Sequence, residues 1–105
     1  MIIYNTTTKV DHSIHATWLK WMQQEYIPMV MESGYFTDYK LARLLGVDES
    51  DGITYAFQLS LANRVTFNLY QQKKALHHQS TFDKKYGERA LSFRSVLDVV
   101  SHGVD

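Results

Sequence analysis

The chain of 105 residues contains no cysteine. That excludes disulfides, thiolate nucleophiles and cysteine-bearing metal sites. It has no excess of either charge, since eleven Lys and Arg balance eleven Asp and Glu. Proteins that hold nucleic acid by neutralising phosphates carry a basic surplus or patch, so nucleic-acid binding is not expected. No stretch approaches the roughly 20 apolar residues of a membrane span. The opening MIIYNTTTKVD has no basic n-region, and its apolar run is far shorter than that of a signal peptide. No membrane partner and a cytoplasmic location are therefore expected. Glycine-rich phosphate loops, G-x-S-x-G elbows and H-E-x-x-H pairs are also missing, so no motif names a reaction.

What is present suits one folded domain spanning residues 1–105. The chain is 45% hydrophobic and 13% aromatic, well above a disordered composition. Its length is that of a single domain able to bury a core unaided.

Residues 2–10 alternate, with Ile2, Tyr4, Thr6, Thr8 and Val10 on one face and Ile3, Asn5, Thr7 and Lys9 on the other. This predicts a strand. A helix is predicted from about His12 to Met31, capped by Asp11 or Ser13 and closed by Gly34. Pro28 lies in its last turns and is expected to kink or tighten them. Residues 36–47 read as a second strand with Tyr39, Leu41, Leu45 and Val47 in register, interrupted by Arg43, and with Gly46 marking a bulge. The polar turn Asp48–Gly52 suits a hairpin loop. The third strand is the cleanest: Ile53, Tyr55, Phe57, Leu59 and Leu61 alternate with Thr54, Ala56, Gln58 and Ser60.

Asn63 is positioned to cap a second helix that runs towards Tyr86 and ends at Gly87. Phe67, Tyr70, Lys74, His78, Phe82 and Tyr86 fit one stripe, and Val65, Leu69 and Leu76 a neighbouring one. A break near Ala75 to Gln79 would reconcile the two. A last strand, about Ala90 to Val100, sets Leu91, Phe93, Leu97 and Val99 against Ser92, Arg94 and Asp98.

The order β-α-β-β-α-β predicts an α+β fold. Its form is a ferredoxin-like sandwich, a four-stranded antiparallel sheet with two helices on one face and the first and third strands central. The opposite face is expected to be mixed, with Ile3, Leu44, Ala56, Val96 and Val100 among Asn5, Gln58 and Arg94. A partly apolar open face in a small domain suggests a second copy packed against it as a homodimer.

His12 and His15 are three apart on the predicted helix, but no third ligand is indicated, and no metal or other cofactor is assigned. His77 and His78 point about 100° apart and do not chelate together. Asp48, Glu49, Ser50 and Asp51 lack the spacing of a calcium loop. The segment GITYAFQL is similar to the aromatic strand motif of RNA-recognition domains. Tyr55 and Phe57, however, share their face with Ile53, Leu59 and Leu61 and are expected in the core.

The segment from His15 to Val30 carries the strongest signal. Trp18, Trp21, Met22 and Tyr26 form a bulky stripe beside a proline-softened helix end. They serve as core, or as the walls of a pocket for a small apolar or aromatic ligand. Tyr39, Arg43 and Arg94 would then supply the polar anchors.

With MIIYN, TWLKWMQQEYIPMVMESGYF, GITYAFQL and YGERALSFRSVL, the sequence resembles a bacterial domain-of-unknown-function family, number 4286, within the dimeric α/β-barrel superfamily. The resemblance covers most of the chain. It implies a ferredoxin-like protomer and a homodimer whose sheets face each other as a dimeric α/β barrel. Cofactor-independent monooxygenases, muconolactone-isomerase-like enzymes and regulatory domains are relatives in that superfamily. Family members often carry His where this chain has Tyr26, and a phenol with pKa near 10 does not replace imidazole as a base near neutrality. Two readings follow: a small-molecule binder or enzyme with a cleft beside the first helix, or a non-catalytic homodimeric regulatory or structural module.

Overall fold

The computed structural model describes residues 1–104. The elements follow as β1 (Ile2–Val10), α1 (His15–Trp21), a wide turn (Met22–Tyr26), α2 (Ile27–Glu32), β2 (Asp38–Arg43), β3 (Ile53–Leu61), α3 (Arg64–Lys73), α4 (Ala75–Tyr86) and β4 (Ala90–Asp98). The strands form one antiparallel sheet in the order β2-β3-β1-β4, so β1 and β3 are central. The helices lie on one side of it. Ile2, Tyr4 and Val10 of β1 and the five alternating apolar residues of β3 are buried there against Trp18, Met22 and Phe82. Tyr55 and Phe57 are thus core residues, as their alternation predicts.

α1, the wide turn and α2 form one continuous helical run. It starts at His15 rather than His12, because the Asp11 carboxylate accepts from Ser13 N–H at 2.8 Å and closes a turn instead of capping a helix. At Pro28 the run widens rather than tightens. The Ile27 N–H bonds the Met22 carbonyl five residues back, and the widened turn absorbs the missing proline N–H. Gly34, at φ 81°, then supplies the left-handed residue that ends the run.

β2 is shorter than residues 36–47. It ends at Arg43, and Leu45 and Val47 lie outside the sheet, 80% and 44% exposed. Gly46 belongs to the connecting loop, not to a bulge. That loop is held by Arg43, whose Nη2 meets Glu49 Oε1 at 2.7 Å, and by His12 Nε2 at 2.6 Å from the Glu49 carbonyl. Where β3 begins, a Cβ on Gly52 would stand 2.6 Å from the Val10 carbonyl oxygen, so no other residue fits without moving β1. Asn63 caps α3 by accepting from Thr66 N–H at 2.9 Å. The second helical run breaks at Lys74 (φ −131°, ψ −25°), just before the span expected.

β4 corrects the sequence reading most. Its alternation is as expected, but its faces are inverted. Register with β1 sets Ser92 opposite Thr8, Arg94 opposite Thr6 and Val96 opposite Tyr4, which puts these three on the helix side. Leu91, Phe93 and Leu97 face away from the helices, 63%, 64% and 47% exposed. The assignment of Arg94 and Val96 to the open face therefore fails, and Val100 lies beyond the strand. On that side the Ser92 Oγ finds a partner in Thr8 Oγ1 at 2.8 Å.

Candidate functional site

Between the helices and the polar side of β4 lies a small void. β1 and β4 provide its floor with Tyr4, Thr6, Thr8, Ser92 and Arg94. The widened turn contributes Met22 and Tyr26, and α3 and α4 contribute Tyr70, His78, Gln79 and Phe82. The void measures about 30 Å³, which is room for roughly two waters.

The break at Lys74 lets Tyr70 and His78 both face inward from successive helices. His78 is 3% exposed, and its Nδ1 is 2.8 Å from the Tyr70 hydroxyl. From the other side the Tyr26 hydroxyl donates to the His78 carbonyl at 3.1 Å. Tyr26 in turn stacks on Trp21, with ring centroids 5.0 Å apart and planes 27° from parallel. The widened turn thus carries a rigid aromatic wall and a hydroxyl that reaches α4.

Burial raises the pKa of both Tyr26 and Tyr70, and the Arg94 charge pulls weakly the other way. Burial, then His77 and Lys74, lowers that of His78. Near neutral pH the site therefore sets the neutral imidazole of His78 and the neutral phenols of Tyr26 and Tyr70 beside the Arg94 guanidinium. Such an imidazole is able to accept a proton, and the guanidinium to meet an anion.

Of the residues singled out from sequence, Met22, Tyr26 and Arg94 come together here. Trp21 stands behind Tyr26 and forms edge contacts with Phe82 and Tyr86, at 5.9 and 5.3 Å between centroids. Trp18 is core, 1% exposed and 5.1 Å from the ring of Tyr55. Tyr39 and Arg43 lie apart, in a shallow open cleft with Leu19, Gln23 and Tyr55, where Glu49 already occupies the Arg43 guanidinium. One pocket uniting all seven does not form. His12 and His15 also diverge, His15 bonding the Tyr55 hydroxyl at 2.7 Å. Sequence reasoning missed Tyr70 and His78 as site residues. The available signal was a histidine on a helical stripe shared with Phe67, Tyr70, Phe82 and Tyr86.

Over residues 1–100 the chain matches the model of a family described as Domain of unknown function (DUF4286), and it belongs to that family. No curated protein matches it.

Proposed function

We propose that this DUF4286 protein binds a small apolar or aromatic molecule by one end, the void between helices and sheet having room for only a few of its atoms, as a homodimer of ferredoxin-like protomers. What supports this most is the inverted β4. The strand turns Ser92 and Arg94 towards His78 and Tyr26, and turns Leu91 and Phe93 outward. A strand serving only the core would do the reverse. The outward face suits a second copy packed sheet to sheet, as in a dimeric α/β barrel. If the protein is an enzyme of the cofactor-independent monooxygenase- or isomerase-like kind, His78 is the group that moves a proton. We take it to be cytoplasmic, as its opening residues suggest, and of bacterial origin, as the family resemblance implies.

Because Trp21 stacks on Tyr26, occupancy of the void should perturb tryptophan emission. A library of small aromatic and aliphatic fragments, titrated against emission, tests the proposal. Binding that weakens in Tyr26→Phe supports it. A second reading, a non-catalytic homodimeric module, draws on the small size of the void; emission indifferent to every fragment would favour it.

A further inference from the structure

Among the described residues, Arg94 is the one lining the void that carries a formal charge near neutral pH. Arg43 and Arg64 are held by Glu49 and Asp98, whereas among the described residues Arg94 enters no ion pair. It projects on the helix side of the edge strand, opposite Thr6, and is exposed, so it stands at the mouth of the void rather than within it. Behind it the walls are mostly apolar, with Met22, Phe57 and Phe82, and no carboxylate of the described residues contributes to them. An unpaired cation at the mouth of an apolar recess favours an anion with an apolar end.

We propose that the site takes a small monocarboxylate with a short apolar tail, the carboxylate on the Arg94 guanidinium and the tail among Met22, Phe57 and Phe82. This rests on the void being a ligand site. A guanidinium matches a carboxylate through two parallel N–H donors. A phosphate dianion would bring a second charge that no second cation meets, since His78 is held neutral. The void of about 30 Å³ restricts the tail to a few carbons.

The test is an NMR titration of the whole ¹⁵N-labelled protein at low ionic strength with propionate, propionamide and inorganic phosphate, following the Arg94 Nε–H and Trp21 indole signals. Propionate should bind at least tenfold more tightly than propionamide or phosphate. Arg94→Gln should erase that preference, and Arg94→Lys should restore part of it. If propionamide binds as tightly as propionate, charge recognition is wrong while the pocket stands. If phosphate binds as tightly, the carboxylate class is wrong. A preference that survives in Arg94→Gln also overturns the assignment. If none of the three shifts either signal, the inference falls, and the pocket reading falls with it should the fragment library fail as well.

Discussion

Phe93→Glu is the sharpest perturbation of the open sheet face. Phe93 is 64% exposed in the protomer, and phenylalanine side chains bury roughly 150–250 Å² when fully covered. On the order of 100 Å² therefore remains to be covered by a partner. At about 25 cal/mol per Å² that is worth about 2.5 kcal/mol per copy. A two-fold axis brings in both copies and doubles the effect to about 5 kcal/mol. At about 1.4 kcal/mol per decade, losing it raises the dimer dissociation constant by three to four orders of magnitude. Two carboxylates facing an apolar interface add to this. The protomer itself should hardly notice, since exposed substitutions away from special features stay within about 0.5 kcal/mol. Sedimentation velocity at micromolar concentration is the assay. The natural protein should run at twice its 12.2 kDa chain mass and Phe93→Glu at 12.2 kDa. Val65→Glu on α3, 69% exposed and on the helix side, serves as the control and should remain dimeric. A natural protein that sediments as a single chain, or a Phe93→Glu dimer as tight as the natural one, would refute the reasoning.

Tyr26→Phe removes one hydrogen bond to the His78 carbonyl and should cost about 1 kcal/mol, seen as a few degrees in thermal unfolding, while fragment binding weakens clearly. Phe57→Ala should cost about 3–5 kcal/mol in urea unfolding, because Phe57 is 6% exposed between the helices and the sheet; a loss under 1 kcal/mol would place it outside the core. His78 gives a pH signature. Its folded pKa lies below the ordinary histidine value of about 6.5 because it is buried near His77 and Lys74. Below pH of about 6.5 the unfolded chain binds the proton first. The stability due to a neutral His78 is thus full above that pH and declines as pH falls towards the depressed folded value. His78→Gln should flatten this decline in denaturant unfolding below pH of about 6.5, and an unchanged slope would contradict burial of a neutral His78.

The element order and the central pair of strands were legible because β1 and β3 alternate cleanly, and because Asn63 and Gly34 are local signals whose chemistry works within a few residues. β4 was misassigned for a physical reason. Alternation says which residues share a face, but not which face is covered. On this strand Leu91, Phe93 and Leu97 are the apolar set, and hydrophobicity alone sends them inward. Register with Thr8 and Tyr4 decides otherwise, and register is a long-range property. β2 stops at Arg43, whose guanidinium holds Glu49 across the loop, and His12 reaches the Glu49 carbonyl from far away in sequence. The response to Pro28 was also hidden, because a widened turn and a kink relieve the same missing N–H. Within the site, Met22 and Tyr26 were visible through their spacing on one helix. Sequence adjacency sets His78 beside His77 alone, whereas its partners, Tyr70 and Tyr26, come from two other elements.

The most direct test of the void as a ligand site is a fragment titration read residue by residue by NMR. Chemical-shift changes should cluster on Met22, Tyr26, Tyr70, His78 and Arg94, and leave Tyr39 and Arg43 unmoved. Shifts confined to the Tyr39–Arg43 cleft, or no shift at Tyr26 and His78 with any fragment, would contradict it.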